Sequence, residues 1–400
     1  MPRIIFLAAV WTIVTMIILL MLPNLLPDRK LLTYNDDELR KGALSKGMLP
    51  VPKDYSGLLK IKDNSEKLLT IEKIALGKEL YFDTNLSKNG DISCATCHVI
   101  SKDKKHHDSP LVNGLNDSSN SKVDCISCHL RDESGTERFS ASVGEDGKEH
   151  PFHLNTQTIL NSSLAKYLTW SGEVNSVEEQ AGLSMQSPFK MAITPAEVEA
   201  RLKKDSKYIK MFNDAFKDET ASANDTVSFE NTTKAIGAYV RTLLTRGDYD
   251  RFLDGNNSAI SPEAKRGLTS FINLGCKGCH TGMSVGGQVI QRFPLKDFFI
   301  VEALGFSTPF ISSSDVFPFE NIGGYLGKDN EHLFRIPILR NVTKTSPYFH
   351  NGSVSNIREV VAIMGKHQLG LYLSETQIDE IVEFLKTLEG DVVDYSSDKQ

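Results

Sequence analysis

Apolar residues recur at helical spacing in several stretches of the carboxy-terminal half of the chain. A Thr-Pro-Ala-Glu sequence beginning at Thr194 is a capping box with proline at the first helical position, and it predicts a helix running towards Phe216. Helical spacing continues over residues 227–244 and over residues 261–275. A Ser-Glu-Thr-Gln sequence caps a last helix within residues 374–390, which has one apolar face. The pattern predicts a mainly α-helical chain.

The amino-terminal half alternates between polar and helical intervals. Residues 28–67 are polar, with a Pro-Val-Pro sequence in the middle, and predict a tether that leads into a domain. Residues 70–82 have helical spacing. Residues 99–150 are rich in Ser, Asp, Lys and Gly and predict a long surface loop, a length for which a functional reason is expected.

The amino terminus has the pattern of an exported protein. Arg3 precedes an uncharged apolar run over residues 4–22, which as a helix would span about 30 Å. A cleaved secretory signal is the alternative, but the sequence after the run offers no small-residue cleavage site. We therefore expect a signal anchor over residues 1–27, a single-pass transmembrane helix in a bacterial inner membrane. Arg3 would lie in the cytoplasm and the remaining chain in the periplasm.

All six cysteines belong to three Cys-x-x-Cys-His motifs. This motif is the signature of covalent haem c attachment, in which the two thiols form thioethers and the histidine binds the iron. Haem is attached in this way on the periplasmic side, in agreement with the amino terminus. Three haem c groups are predicted, at the first haem motif (Cys94, Cys97, His98), the second haem motif (Cys125, Cys128, His129) and the third haem motif (Cys276, Cys279, His280).

Zinc is the alternative to haem for the first two motifs, because their cysteine pairs have the spacing of an all-thiolate zinc site. The third motif stands alone, however, and a histidine follows each pair directly, which zinc does not require. These two features favour haem at all three motifs, and a zinc site with one haem stays the alternative.

The composition fits packed domains and argues against nucleic-acid binding. A chain of 400 residues with 40% hydrophobic content is long enough for two domains or slightly more. Its formal net charge is −6, and no lysine- and arginine-rich patch is present. A basic redox partner would be attracted by this charge.

Several further segments have distinctive sequences: Leu76-Gly-Lys-Glu-Leu-Tyr-Phe-Asp, Asn155-Thr-Gln-Thr-Ile-Leu-Asn161, Trp170-Ser-Gly, Val177-Glu-Glu-Gln180, Arg241-Thr-Leu-Leu-Thr, Leu339-Arg-Asn-Val-Thr-Lys-Thr-Ser-Pro-Tyr-Phe-His-Asn-Gly352 and Ile363-Met-Gly-Lys-His-Gln-Leu-Gly370. In this order they resemble the bacterial di-haem cytochrome c peroxidases and their MauG-type relatives. The resemblance implies two cytochrome c-like domains with a haem crevice between them. The peroxidatic domain would cover residues 68–250, with an inserted haem loop over residues 99–150, and the electron-transfer domain residues 251–400.

The resemblance also implies roles around the third haem motif. Met364 would be the sixth ligand of its haem, and a thioether raises the reduction potential, as an electron-entry haem requires. Trp170 matches a tryptophan between the two haems. Arg340 and His350 match positions near the haem edges.

A calcium site between the domains is a further implication. Asn155, Thr345 and Pro347 match the family's Ca²⁺ ligands, and oxygen ligation of this kind suits Ca²⁺. Without the resemblance, these common residue types would not suggest a metal.

The peroxide chemistry is where the chain departs from the family. The family uses a glutamine and a glutamate to move a proton between the peroxide oxygens and to stabilise charge. Gln180 matches the glutamine, but Lys190 stands in place of the glutamate. A buried lysine can have its pKa lowered enough to transfer a proton. A solvated lysine in a site that has lost peroxidase activity is the alternative.

The resemblance does not fix the sixth ligands of the first and second haems. The family's removable distal histidine falls on Gly147, and His150 and His153 lie nearby, so either could bind the first haem or simply be solvated. The two-haem members have a short loop at the second haem motif. A sixth ligand there is expected from His106 or His107.

The resemblance implies a multihaem cytochrome c peroxidase that reduces hydrogen peroxide to water with electrons from a small cytochrome c or a quinol. An electron-transfer cytochrome without peroxidase activity is the alternative because of Lys190. A MauG-like oxidase of a partner protein is less favoured, since MauG-type relatives have a tyrosine where this chain has Met364. A homodimer is left open.

Overall fold

A computed structural model of the protein describes residues 35–100, 149–219, 226–295 and 317–395, together with Thr136, Ala141 and Gly144. The expected signal anchor over residues 1–27 and the second haem motif lie outside the described residues, as do His106, His107 and Gly147.

The expected transmembrane helix finds no support in the structure. None of the helices in the described ranges is both long enough and apolar enough to cross a membrane.

The described residues form twelve α-helices and two small antiparallel sheets, so the prediction of a mainly α-helical protein is confirmed. The helices are α1 Asp36–Leu44, α2 Tyr55–Leu59, α3 Ile71–Phe82, α4 Cys94–Cys97, α5 Val177–Gln186, α6 Pro195–Leu202, α7 Ser206–Phe216, α8 Phe229–Val240, α9 Asp248–Leu253, α10 Pro262–Asn273, α11 Ile357–Met364 and α12 Glu375–Thr387. The strands are β1 Thr245–Gly247, β2 Ile290–Arg292, β3 Leu333–Arg335 and β4 Gly390–Val392, with β1 paired to β4 and β2 to β3.

Helices α3 and α8 cross in the amino-terminal half at a glycine. The Thr70 side chain accepts a hydrogen bond from the backbone N–H of Lys73 (3.2 Å), so α3 begins where the sequence predicts it. A Cβ atom on Gly77 would lie 1.8 Å from the Ala235 carbonyl oxygen, so the two backbones approach as closely as glycine allows. The helix that leads to the first haem motif is thereby fixed.

Helices α10 and α12 repeat this arrangement in the carboxy-terminal half. A Cβ on Gly267 would lie 1.8 Å from the Glu380 carbonyl oxygen. Helix α12 begins with the predicted capping box at Ser374 and Gln377. The helix before the third haem motif and the last described helix therefore cross at close range.

The predicted helix from Thr194 towards Phe216 is in fact two helices. Helix α6 ends at Leu202, and the Asp205 side chain accepts a hydrogen bond from the Lys207 N–H (2.8 Å), which caps α7. A side chain that satisfies the free N–H groups of a new helix makes the interruption favourable.

The interval predicted as a tether is folded from residue 35 onwards. Helix α1 buries Leu39 and Ala43, and the following Met48 is fully buried with them among residues of α9 and α10. Two apolar residues at i and i+4 form a narrow apolar stripe on an otherwise polar helix, and this stripe packs on the carboxy-terminal half.

Several backbone features of the first half of the chain recur in the second half, each at the same separation in residue number. Asn161 and Asn341 both adopt the left-handed conformation, with φ of 60° and 61°, and both open a short 3₁₀ turn. Their side-chain amides both donate to the Thr245 hydroxyl, at 2.9 and 3.0 Å. The same separation relates the bridge Leu168–Val174 to Tyr348–Val354, and the start of α5 at Val177 to that of α11 at Ile357. The two halves are therefore repeats of one unit that meet at Thr245.

Candidate functional site

The first haem motif begins at Cys94, after α3 and a short 3₁₀ turn, and hydrogen bonds to its backbone hold it in place. Helix α4 contains Cys94 and Cys97, and the His98 N–H donates to the Cys94 carbonyl (2.9 Å). The Tyr81 hydroxyl donates to the His98 carbonyl (2.7 Å). Burial raises the pKa of the Cys94 thiol to about 12. The pair of thiols and the histidine thus lie on one tight turn against the core, as haem c attachment requires.

The third haem motif begins at Cys276, shortly after α10 ends at Asn273. Gly275, with φ of 108°, ends the helix, and the His280 N–H donates to the Cys276 carbonyl (2.9 Å). Burial lowers the pKa of His280 to about 4, although hydrogen bonds to the backbone at Val285 and Pro337 act in the opposite direction. The imidazole is therefore neutral at physiological pH, which is the form that binds iron.

A largely apolar cavity beside the third haem motif brings six of the predicted site residues together. His280 lines it, and so does Met364, the last residue of α11. The cavity is also lined by Asn155, Trp170, Arg335, Thr345, Pro347 and His350. An imidazole and a thioether facing one apolar cavity beside two thiols form a donor set that fits a haem c.

Trp170 joins the two halves of the chain at this cavity. Its indole N–H donates to the Asn155 carbonyl (2.8 Å), and the Asn155 N–H donates to the His350 carbonyl (2.8 Å). The Arg335 N–H donates to the Trp170 carbonyl (2.8 Å), which repeats the Asn155–His350 contact in the other half. The rings of Trp170 and His350 meet edge to face with centroids 6.4 Å apart. Trp170 is thus fixed where the two repeats touch.

The three residues predicted to hold calcium lie on the same cavity. Asn155, Thr345 and Pro347 all line it, and the Thr345 hydroxyl donates to the Val342 carbonyl (3.1 Å). No group of three His, Cys, Asp or Glu side chains in the described ranges could hold a metal ion. A cation here would have to rely on amide, hydroxyl and carbonyl oxygens.

His350 is buried among aromatic rings. Its ring stacks on Phe334 with centroids 4.9 Å apart, and its Nε2 lies 2.8 Å from Asn321 Oδ1. Burial, and secondarily His332, lowers the pKa of His350 to about 3, so the ring is neutral.

Arg340, predicted near a haem edge, is fully buried and paired with a carboxylate. Its guanidinium donates to both carboxylate oxygens of Asp250, at 2.8 and 2.9 Å, and to the Met283 carbonyl (2.6 Å). Burial opposes ionisation of Asp250, but Arg340 and the N–H groups of Gly247 and Val51 hold the pKa of this carboxyl below its usual value. Arg340 therefore fastens the segment after α1 to the carboxy-terminal half.

Gln180 and Lys190 converge on a residue that the sequence did not single out. The Gln180 amide and the Lys190 ammonium both donate to the Ser184 hydroxyl oxygen, at 3.1 and 3.4 Å. Burial lowers the pKa of Lys190, while Cys97 acts in the opposite direction, so the lysine lies close to the first haem motif. The Gln180 Oε1 atom is buried, and the described part of the chain offers it no hydrogen-bond partner.

Ser184 occupies the place in the first repeat that Met364 occupies in the second. The separation of Ser184 and Met364 is the one that relates Asn161 to Asn341. Ser184 also lies one helical turn after Gln180, on the same face of α5. That spacing could have suggested Ser184 from the sequence, but its contact with Lys190 required the fold.

Of the two loop histidines, His150 is the one near Lys190. Burial, and secondarily the charge of Lys190, lowers the pKa of His150, and its ring lies 5.5 Å from that of Phe189. His153 instead lies 3.1 Å from the Glu149 carboxylate.

Comparison with known proteins identifies relatives of this chain. A family model described as di-haem cytochrome c peroxidase matches residues 71–117 and 116–258. The cytochrome c551 peroxidase of Pseudomonas aeruginosa is 32% identical over 319 residues, which are 79% of this chain and 78% of that protein. The cytochrome c551 peroxidase of Nitrosomonas europaea is 29% identical over 321 residues, 80% of each chain.

A solved structure has the same fold. It is that of a MauG-like protein associated with microbial copper homeostasis, with a TM-score of 0.61 and 22% identity, covering 83% of this chain and 94% of the other. The fold likeness stands beside the sequence comparisons. The family match and the 32% identity to the Pseudomonas aeruginosa enzyme show that the chain is an oxidoreductase that belongs to the family of di-haem cytochrome c peroxidases.

Proposed function

We propose that this protein reduces hydrogen peroxide to water at the first haem motif, with electrons that enter at the third haem motif. The observation that carries the proposal is the convergence of Gln180 and Lys190 on Ser184 beside Cys97. The overall reaction, H₂O₂ + 2 e⁻ + 2 H⁺ → 2 H₂O, needs groups that move protons as well as a source of electrons. A bound haem supplies the iron at which peroxide is reduced and through which the electrons arrive.

Lys190 is proposed to handle the protons. Because burial lowers its pKa, a larger fraction of the side chain is neutral than in solution, and the neutral amine can accept a proton from peroxide. The described residues give the Gln180 carbonyl oxygen no hydrogen-bond partner, so it can accept a hydrogen bond from the peroxide O–H. Ser184 accepts hydrogen bonds from both residues, so its own hydrogen is available to the oxygen that leaves.

Electrons are proposed to pass from the second repeat to the first by way of Trp170. Met364 supplies a thioether that favours ferrous iron and so suits electron entry. Trp170 is hydrogen-bonded to both repeats. The proposed donor is a small cytochrome c, in keeping with the names of the relatives, and a quinol is the alternative. We place the reaction in the periplasm, because haem c is attached on that side.

The test is turnover with peroxide. The reduced protein, supplied with a reduced small cytochrome c, is mixed with hydrogen peroxide, and reoxidation of the haems is followed by absorbance. Lys190→Gln is expected to lower the rate about 100-fold, the size of a general acid–base contribution. Lys203→Gln, which removes an exposed lysine, is the matched control and should not change it.

Two results would contradict the proposal. Turnover by the wild type no faster than that of free haem would favour the alternative, an electron-transfer cytochrome in which Lys190 marks lost peroxidase activity. A Lys190→Gln variant as fast as wild type would remove the proposed role of the lysine.

We further propose that the second haem motif carries a third haem c as an added electron relay. Support comes from its sequence alone, since Cys125, Cys128 and His129 repeat the pattern of the other motifs. Haem content per chain should be three in the wild type and two in a Cys125→Ala, Cys128→Ala double variant. A wild type with two haems would show that this motif is not used.

We also propose Ca²⁺ on the cavity between the repeats, held by Asn155 and by oxygens of Thr345 and Pro347. Their common position on one cavity wall and the hard oxygen donors support this choice.

A further inference from the structure

Arg335 is a buried cation at the cavity between the repeats. It ends strand β3 and is only 4% exposed. Its side chain lines the cavity together with His280, Met364 and Trp170. The Arg335 Nε atom donates to the Thr169 carbonyl (3.0 Å), and a second, longer contact of 3.5 Å reaches the Ile336 carbonyl. These contacts leave several of its five N–H donors for the cavity.

No carboxylate in the described parts of the chain neutralises this charge. Burial alone lowers the pKa of Arg335, to about 10, so the guanidinium is still protonated at neutral pH. Arg340, which is also buried, has the opposite surroundings, since Asp250 binds it through two hydrogen bonds. A buried cation without an anion is strongly unfavourable. The contrast indicates that the described residues do not supply the anion for Arg335.

A haem in this cavity would bring suitable anions. Each haem carries two propionate carboxylates, and the planar guanidinium binds carboxylates through paired hydrogen bonds. We propose that Arg335 binds a propionate of the haem attached at the third haem motif and that its charge raises the reduction potential of that haem. A nearby positive charge disfavours ferric iron, which carries one more positive charge than ferrous iron.

The same residue connects this propionate to Trp170. The Arg335 backbone N–H donates to the Trp170 carbonyl and its side chain to the Thr169 carbonyl, at 2.8 and 3.0 Å. Arg335 is thus a positioning residue that fixes the haem edge relative to the tryptophan. This inference depends on the haem assigned to the third haem motif and is independent of peroxide turnover.

The test is a spectroelectrochemical titration of the holoprotein, in which the midpoint potential of each haem is measured. Arg335→Gln should lower the potential of the highest-potential haem, and Arg335→Lys, which keeps the charge, should lower it less. Arg292→Gln removes an exposed arginine from the neighbouring strand β2 and is the matched control. The proposal is overturned if Arg335→Gln moves that potential no more than Arg292→Gln does.

A second measurement reads the hydrogen bond itself. The propionate bending mode in the resonance Raman spectrum of the wild type should shift in Arg335→Lys, which is expected to fold because it keeps both size and charge. An unchanged mode would overturn the proposal even if Arg335→Gln failed to accumulate as holoprotein. If the potentials and the Raman mode respond while peroxide turnover is absent, the inference stands and only the proposed function fails.

Discussion

At the scale of the residue, Lys190 is the most unusual group of the candidate site. It is a partly buried amine beside the first haem motif, with a neutral hydroxyl as its hydrogen-bond partner in the described residues. A lysine whose pKa is lowered in the folded state binds its proton less tightly there than in the unfolded chain. Lys190 therefore costs stability at neutral pH, and this cost disappears as the pH rises through the range between its lowered pKa and the unfolded value near 10.5.

Replacing Lys190 should consequently stabilise the protein while it impairs the reaction. We expect Lys190→Met to raise the free energy of unfolding by about 1 kcal/mol at pH 7, and the gain over wild type should shrink towards pH 10. Denaturant unfolding at the two pH values measures this. A variant that is less stable than wild type at pH 7 would show that the lysine is a structural requirement.

Ser184 provides a second prediction at this scale, because the repeat places it where Met364 stands in the other half. Ser184→Met should bring a thioether to the first haem and compete with external ligands. The affinity of the ferric protein for azide at that haem should fall about tenfold or more. Leu183→Met, which changes the exposed neighbour on the same helix, is the control and should leave azide binding unchanged. Equal azide affinity in both variants would contradict the equivalence of Ser184 and Met364.

Some residues of the site could be identified from the sequence and others could not, for physical reasons. The haem motifs are local patterns, so Cys94, Cys276 and their partners could be identified directly. Ser184 and Arg335 matter through their neighbours in space. Ser184 accepts hydrogen bonds from two side chains, and Arg335 is buried without a carboxylate partner among the described residues. Neither property is written in the local sequence.

At the scale of the element, the two helix crossings hold the haem motifs in place. Gly267→Ala would put a Cβ 1.8 Å from the Glu380 carbonyl, and the strain should lower the free energy of unfolding by about 1–3 kcal/mol. Gly42→Ala in α1 is the matched control, because its new methyl group would meet only Ile272 Cδ1 at 3.6 Å, an ordinary contact. This variant should be neutral or stabilised by about 0.5–1 kcal/mol. Thermal unfolding of both variants measures these two effects. If Gly267→Ala were as stable as Gly42→Ala, the close approach of α10 and α12 would not be needed for stability.

Helices with strong caps were predicted well, and the polar helix α1 was not. Helices α3, α10 and α12 begin at the predicted Thr70, Ser261 and Ser374, because a side-chain cap is a local signal. The stripe of α1 has only Leu39 and Ala43 buried, too few apolar residues to be distinguished from a tether. Its packing partner lies more than two hundred residues away in the sequence.

At the scale of the whole molecule, residues of both repeats line the cavity. A cation bound there should therefore affect electron transfer between the repeats. Removal of Ca²⁺ with a chelator is expected to slow the peroxide-driven reoxidation of the haem at the third motif, while ligand binding at the first haem is unchanged. Stopped-flow absorbance with and without added Ca²⁺ measures both. Full activity in protein shown to be free of calcium would contradict the proposed site.

The division into two repeats was expected from the resemblance, and the contacts that join them come from the fold. Trp170 was predicted to lie between the haems, but the hydrogen bond that its carbonyl accepts from the Arg335 N–H joins distant segments of the chain. Such long-range pairings have no periodic signature in a single sequence.

The β1–β4 pairing limits the order in which the chain can fold. Strand β1 lies at the junction of the repeats and pairs with residues 390–392, near the end of the chain. The Val393 N–H also donates to the Leu244 carbonyl. The junction around Thr245 is therefore closed only after residues 390–393 have been synthesised. Until then β1 has no strand partner, and we expect both described Cys-x-x-Cys-His turns to be more accessible to the enzymes that attach haem than in the completed fold.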